Sequence, residues 1–437
     1  MDKNLKRREF IGLSTVAAAG LLIACNSDKK PGLQLAAFAD QAPDGPELKV
    51  GLIGCGDRGT GAAINFLNSG PNLSVRILGD LLPDRIEKCR QELKNQKNIE
   101  VASEFCYTGF DAYLKVLESD VDIVLLATPP HFRPEHFAAA INAKKHVFME
   151  KPVAVDPVGA RSIIASSRQA QAMGLCVGTG TQRRHQRDYV ETYKHIYAGA
   201  IGEIVGGNCY WNQEQLWFKL PQPGWTEMEY MIRDWVNWTW LSGDHIVEQH
   251  VHNIDVINWF TGLHPVKAVG FGSRLRRPTG NQYDFFSVDF TYEGDIHVHS
   301  MCRQIKGCSS NVSEYIRGTK GFSNAQNTIY NMDGSIKWKY EYPLDKDGKP
   351  TDRVKISPYD QEHIDLVTAI RTNKPYVEAE ATAIATLAAI MGRISAYTGK
   401  EVTWEEVMSL DQHLVPKEYK LGPVEIDKSI PIAGTAE

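Results

Sequence analysis

No two cysteines in this 437-residue chain are spaced as CxxC, so neither a zinc ribbon nor a thioredoxin-like motif is indicated. There is no basic excess to suit nucleic acid: 48 lysines and arginines stand against 53 acidic residues, for a net charge of −5. Internal repeats and low-complexity tracts are also missing. The run from Phe10 to Ala24 has fifteen residues, short of the roughly 20 that span hydrocarbon as a helix. What remains is ordinary globular composition, 43% hydrophobic and 23% charged, in a chain too long for one core. Two domains are expected. Of the eight cysteines, Cys302 and Cys308 are close enough in sequence to pair, but burial as free thiols is the expected state.

The first 25 residues read as an address. Lys3, Lys6, Arg7 and Arg8 precede the apolar run, the pattern of a signal peptide. Arg7-Arg8 with Phe10-Ile11 resembles a twin-arginine export signal, although Lys6 stands where Ser or Thr is common. Leu22-Ile23-Ala24-Cys25 resembles a lipobox, which implies lipidation of Cys25, a membrane anchor and a periplasmic lipoprotein. Residues 26–46 are rich in turn formers and are expected to be a linker.

Leu48 to Ile53 is a short apolar run suited to a buried parallel strand. It enters Gly54-Cys55-Gly56-Asp57-Arg58-Gly59, which fits G-x-G-x-x-G. In that fingerprint the first glycine allows a tight turn, the second lets backbone approach a pyrophosphate, and the third lets helix and strand pack closely. A helix over Thr60 to Leu67 would aim its N-terminal amides at phosphate. A second strand, Ser74 to Leu78, ends near Asp80, 21 residues past Gly59. An acidic residue there accepts from ribose hydroxyls and repels a 2′-phosphate, so NAD is favoured over NADP. Gly54, Gly56, Asp57, Arg58, Gly59 and Asp80 are therefore candidate cofactor residues. Alternation continues with a strand over Val121 to Ala127, a helix around His136 to Asn142, and a strand over His146 to Met149. A helix from Val158 to Ala172 and a strand from Leu175 to Gly178 follow. The loops after these strands add Thr128, Pro129, His131, Glu150 and Lys151 to the cofactor cleft.

The glycine fingerprint, the segment ATPPHFRPEHFAAAINAKKHVFMEKP at 127–152 and a later DxxxH-like element resemble the Gfo/Idh/MocA oxidoreductases over about residues 47–410. The resemblance implies an α/β architecture. A Rossmann domain, expected over 47–181, would precede an α+β domain with a large, mostly antiparallel open sheet over 182–437. Its helical segment, 361–398, would pack back on the first domain. Sugars, inositols and their derivatives are the implied substrates, and a homo-oligomer, dimer or tetramer, is the implied assembly. Lys151 of Glu150-Lys151-Pro152 matches the family's catalytic lysine, where an ammonium can stabilise a developing alkoxide.

Residues 243–259 read as a helix carrying Glu248, His252, Asp255 and Trp259 along one face. His252 matches the histidine of DxxxH, and Glu248 replaces its aspartate. A free histidine titrates near pH 6.5, which suits proton transfer, with the carboxylate assisting. His245 and Glu248 are spaced to share a metal, but no metal is expected. Relatives carry an arginine or aromatic near 181–185 that lines the substrate site, so Arg184 and His185 are candidates. Aromatics crowd residues 210–240, and Trp238 is taken as one that touches sugar while the others pack. Phe285 to Tyr292 and Ile296 to Met301 alternate as antiparallel strands.

The function these readings support is hydride transfer from a ring carbinol, with C3 a candidate carbon, to tightly held NAD outside the cytoplasm. Two alternatives stand beside it. One is a redox-neutral, NAD-dependent glycosidase; relatives of that kind tend to lack an intact EKP. The other is a non-catalytic, lipid-anchored sugar-binding protein.

Overall fold

A computed structural model describes residues 38–349, 351 and 353–435. Arg7, Arg8 and Cys25, with the export and lipidation readings they carry, lie outside the described residues.

Six short apolar runs form a parallel sheet: β1 (Leu48–Ile53), β2 (Leu73–Asp80), β3 (Cys106–Thr108), β4 (Ile123–Leu126), β5 (His146–Met149) and β6 (Val177–Thr179). Their order is β3-β2-β1-β4-β5-β6, and every pairing is parallel. Successive side chains leave opposite faces of a strand, and here both faces are apolar. Leu52, Leu125 and Phe148 pack on one side with Phe66 and Leu93. Ile53, Leu126 and Met149 pack on the other with Phe137 and Ile163. Each such side chain contributes roughly 1.5–3 kcal/mol by its burial. The strand order reverses between β1 and β4, and the crevice outside the carboxyl ends there is where such sheets bind ligands.

The second sheet contains β7 (Ile204–Gln213), β8 (Pro265–Ser273), β9 (Phe285–Tyr292), β10 (Ile296–Gln304), β11 (Asn311–Gly318), β12 (Gly321–Ser323), β13 (Thr328–Asn331), β14 (Ile336–Lys339) and β15 (Val402–Thr403). Its order is β14-β13-β12-β11-β7-β10-β9-β8-β15, antiparallel throughout except where β10 runs parallel to β7. The helices Val251–Thr261 and Ala379–Thr398 cover one face. Val269 and Phe271 on the other face are exposed. The helix Pro358–Arg371 returns to the first sheet, where Asp360 accepts from Asn65 and Asn68 of the helix Asp57–Asn68.

Three sequence expectations change. The segment 243–259 is not one helix: a turn at His245–Glu248 is separated from Val251–Thr261 by Gln249 and His250. The break is tertiary in origin, because buried His250 is drawn to Ser300 Oγ at 2.6 Å and the turn begins at Asp244 with φ 74°. The end of the expected linker is docked rather than loose. Ala42 is buried, its N–H donates to Ser69, and the Arg371 guanidinium donates to the carbonyls of Pro43 and Pro46. Finally, the seven described cysteines are free thiols as expected, but Cys308 is exposed rather than buried.

Candidate active site

The glycine fingerprint is a constraint that can be read atom by atom. Gly54 has φ 97°, and a Cβ there would sit 2.5 Å from Thr128 N. A Cβ on Gly59 would sit 1.8 Å from the Gly54 carbonyl oxygen, so only glycine lets this helix approach its strand. A Cβ on Gly56 would meet nothing within 4 Å. That open space belongs to a cavity of about 570 Å³ at the carboxyl edge of the parallel sheet. Gly54, Gly56, Asp57, Arg58, Gly59, Asp80, Thr128 and Pro129 all line it. The helix Asp57–Asn68 starts at Gly56 with no side-chain cap, so its first amides are available to an anion.

Asp80 is already engaged. Its carboxylate accepts from Cys55 N at 2.6 Å and from Leu82 N at 2.9 Å. Burial raises its pKa against the lowering effect of those two amides. A carboxylate has about four lone-pair sites, so it retains capacity for a ribose hydroxyl. Arg85 lines the same end of the cavity. Asp57, at the helix start, pairs with Lys88 at 2.8 Å, and that hydrogen bond lowers its pKa.

The remaining cofactor candidates divide. The Arg58 side chain turns away to Glu150 and Glu362 and lies over the Tyr359 ring at 5.0 Å, so the fingerprint uses its backbone. Glu150 is buried as the partner of Arg58 and does not line the cavity. His131 is a correction: its Nε2 meets Tyr419 Oη at 2.8 Å and its ring packs on Trp240, away from the cavity lining. Burial and neighbouring histidines push it down to about 3.

Lys151 follows β5, also beyond the cavity lining. Its Nζ donates to the Glu248 carbonyl at 2.5 Å and to Glu248 Oε1 at 3.0 Å, with both side chains nearly buried. Glu248 therefore partners the lysine; the expectation that it assists His252 from one helical face falls with the broken helix. His252 stacks on Trp211 of β7 with ring centroids 5.5 Å apart. Its pKa lies well below the ordinary 6.5, first through burial, then through the charges of Lys151 and Arg183. The charge of Lys151, 101 positions earlier in the chain, is thus one of those that lower the His252 pKa.

Arg183 is the residue sequence reasoning missed. Its guanidinium lies over the Trp211 ring at 5.4 Å and donates to Glu314 Oε1 at 2.5 Å. Its neighbours are engaged by other partners. Arg184 forms a two-pronged pair with Asp255 at 2.9 Å on each prong. His185 is held between Asp365 at 2.7 Å and Glu378 at 3.0 Å. Burial alone would lower the His185 pKa, but those two carboxylates outweigh it and raise it well above 6.5. Both side chains are buried struts. Trp238 packs with Leu82, Phe132 and Trp240, its ring edge-on to Tyr230, as part of a core. Among the described residues no group of three or more His, Cys, Asp or Glu side chains is placed to hold a metal ion.

A parallel sheet of this order, with an uncapped helix behind a glycine-rich turn and a cavity above, defines a dinucleotide-binding protein of the Rossmann class. The chain belongs to the Gfo/Idh/MocA family. Residues 48–179 match the oxidoreductase family with an NAD-binding Rossmann fold, and residues 189–323 match the family's C-terminal domain. The glycines, the free helix start and Asp80 fit that cofactor.

Over 246 residues the chain is 23% identical to a scyllo-inositol 2-dehydrogenase (NAD(+)) of Bacillus subtilis, covering 56% of this chain and 63% of that one. Over 165 residues it is 28% identical to a glycosyl hydrolase family 109 protein of Streptomyces coelicolor, covering 37% and 34%. The chain thus spans less than two thirds of these curated relatives. The crystal structure of scyllo-inositol dehydrogenase from Lactobacillus casei with bound NAD(H) and scyllo-inositol has the same fold. Its TM-score is 0.59 at 20% identity, over 82% of this chain and 99% of that one.

Proposed function

We propose that the protein is an NAD-dependent oxidoreductase that removes a proton and a hydride from a ring carbinol of a sugar, inositol or glycoside. The observation that carries this reading is the pairing of Lys151 with Glu248 beside a buried, neutral His252. When bound, the nicotinamide supplies the hydride acceptor. The amides of Gly56 to Gly59 and the Asp80 carboxylate hold the dinucleotide. His252, held neutral, has a free lone pair to take the carbinol proton. Lys151 Nζ faces the oxygen on which negative charge develops, and a positioned cation in a water-poor site stabilises that charge strongly. Glu248 fixes Lys151, while Trp211 and Arg183 hold the imidazole ring.

The finer reading is oxidation at C3 of a glycoside, outside the cytoplasm, with NAD retained through turnover. The location is supported by the twin-arginine and lipobox patterns around Arg7-Arg8 and Cys25. Free NAD is scarce outside the cytoplasm, so a cofactor that dissociated would be lost. Denaturing the purified protein is expected to release about one NAD per chain; an empty protein that rebinds NAD weakly would refute retention. Cell fractionation of wild type and Cys25→Ser tests the anchor, which predicts that only the variant becomes soluble.

The similarity to glycosyl hydrolase family 109 proteins favours a second reading. Transient oxidation acidifies the neighbouring C–H, the leaving group is eliminated, water adds, and the hydride returns. Aryl glycosides separate the two: aglycone released with no net NADH supports the glycosidase, and NADH with an intact aglycone supports the oxidoreductase.

A further inference from the structure

The dinucleotide cavity has a wall that the Rossmann sheet does not supply. Trp217, Lys219, Ile232 and Trp235, all later in the chain than β7, line it together with Leu82 and Arg85. Leu82 donates its N–H to Asp80, and Arg233, between Ile232 and Trp235, pairs with Asp84, so this wall adjoins the end that Asp80 at the close of β2 assigns to the ribose and adenine.

The wall is fastened. Arg233 forms a two-pronged pair with Asp84, at 2.9 and 2.8 Å, at the start of the helix Pro83–Lys97. It also bonds Glu229 at 2.9 Å and lies over the Trp225 ring at 4.9 Å. Behind the wall, the fully buried Asp234 accepts from Lys219 N and from Asn237 Nδ2, both at 2.8 Å. Asn237 Nδ2 also donates to the Trp217 carbonyl at 3.3 Å, so one buried carboxylate sets the positions of Trp217 and Lys219. The C-terminal tail supports the same segment, with Val424 N donating to Glu227 at 2.7 Å.

The chemistry of the wall is specific. Trp217 and Trp235 meet edge to face at 6.2 Å and offer indole surface to a flat base. The Lys219 ammonium has no ion-pair partner among the described residues, yet its charge reaches Asp57 at the helix start where phosphate is expected. Trp217 is 46% exposed and lines the cavity, so its ring is open to a ligand there.

We propose that Trp217, Lys219 and Trp235 are cofactor-binding residues contributed by the second half of the chain, and that the Arg233–Asp84 clasp makes dinucleotide exchange slow. This rests on the NAD reading above. The wall holds the adenosine half by stacking and by charge, and the dinucleotide leaves only when the clasp opens.

The test loads radiolabelled NAD onto wild type, Trp217→Ala, Lys219→Ala and Arg233→Ala, chases with excess unlabelled NAD, and follows release. Thermal melts confirm that each variant is folded, and the partly exposed Trp217 makes its variant safe in this respect. Removing base stacking is expected to accelerate release about tenfold or more in Trp217→Ala. Lys219→Ala and Arg233→Ala are expected to accelerate it in the same direction. Release at the wild-type rate from all three folded variants overturns the proposal while leaving the NAD reading intact. A wild type that binds no NAD takes down the reading itself, and the wall with it.

Discussion

His252 and His185 are both buried, and their environments drive them in opposite directions. Around His252 stand Lys151, Arg183 and the Trp211 ring, and burial together with those cations keeps the imidazole neutral. Around His185 stand Asp365 and Glu378, and those carboxylates overcome burial and keep it charged. Burial pushes both imidazoles toward the neutral form; the cations beside His252 reinforce it, and the carboxylates beside His185 reverse it. A neutral imidazole can receive a proton, whereas a cation gripped by two carboxylates is a strut. The same contrast separates Arg184, locked to Asp255, from Lys151, whose two hydrogen bonds to Glu248 leave one ammonium hydrogen for a substrate oxygen.

The contrast breaks most visibly at His252. Replacing it with Ala is expected to lower kcat by roughly 10²–10⁴-fold in single-turnover NAD reduction, the usual worth of a general base. The fold should survive, because a neutral ring is lost and no partner charge is stranded. His185→Ala should do the reverse. It leaves Asp365 and Glu378 unpaired in the interior, a loss of about 3–5 kcal/mol in chemical denaturation. Activity per folded molecule should change little.

The pH dependence of stability sharpens the comparison, because the two histidines have opposite signs. His185 has a raised pKa, so its contribution is full below the unfolded value of 6.5 and is lost as pH climbs through the raised one. The gap in stability between wild type and His185→Asn should therefore narrow as pH rises above 6.5. His252 has a lowered pKa, as do His136 and His250, each pushed to about 3 mainly by burial. These groups favour the fold at neutral pH and cost it stability as pH falls below 6.5, where the unfolded chain binds protons first. Denaturation midpoints across that range check both slopes.

The smallest effect is expected at Arg184. A lysine there keeps the charge but loses the two-pronged geometry, for about 1–2 kcal/mol of stability and an unchanged KM. A raised KM at full stability would return Arg184 to the substrate site.

The parts legible in sequence are those fixed by local backbone. β1, the glycine turn and Asp80 follow one another along the chain, and Gly54 and Gly59 answer steric demands made within the same βα unit or its neighbouring strand. The parts that were not legible depend on distant partners. β3 is only three residues long and has no hydrophobic run. β7 contains Gly206-Gly207-Asn208, poor strand formers, and becomes a central strand because β10 and β11 flank it. Arg183 and Arg184 are adjacent in a short 3-10 turn, and no periodicity states which one faces Trp211. The break after Glu248 arises from His250 reaching Ser300, fifty positions on.

The most direct test is single-turnover NAD reduction by NAD-loaded Lys151→Met across inositols, free sugars and glycosides, beside the wild type. The wild type is expected to reduce its NAD with at least one of these polyols, and the variant, still holding NAD, to be slower by roughly 10²–10³-fold. Reduction by the variant at the wild-type rate would contradict the role given to Lys151.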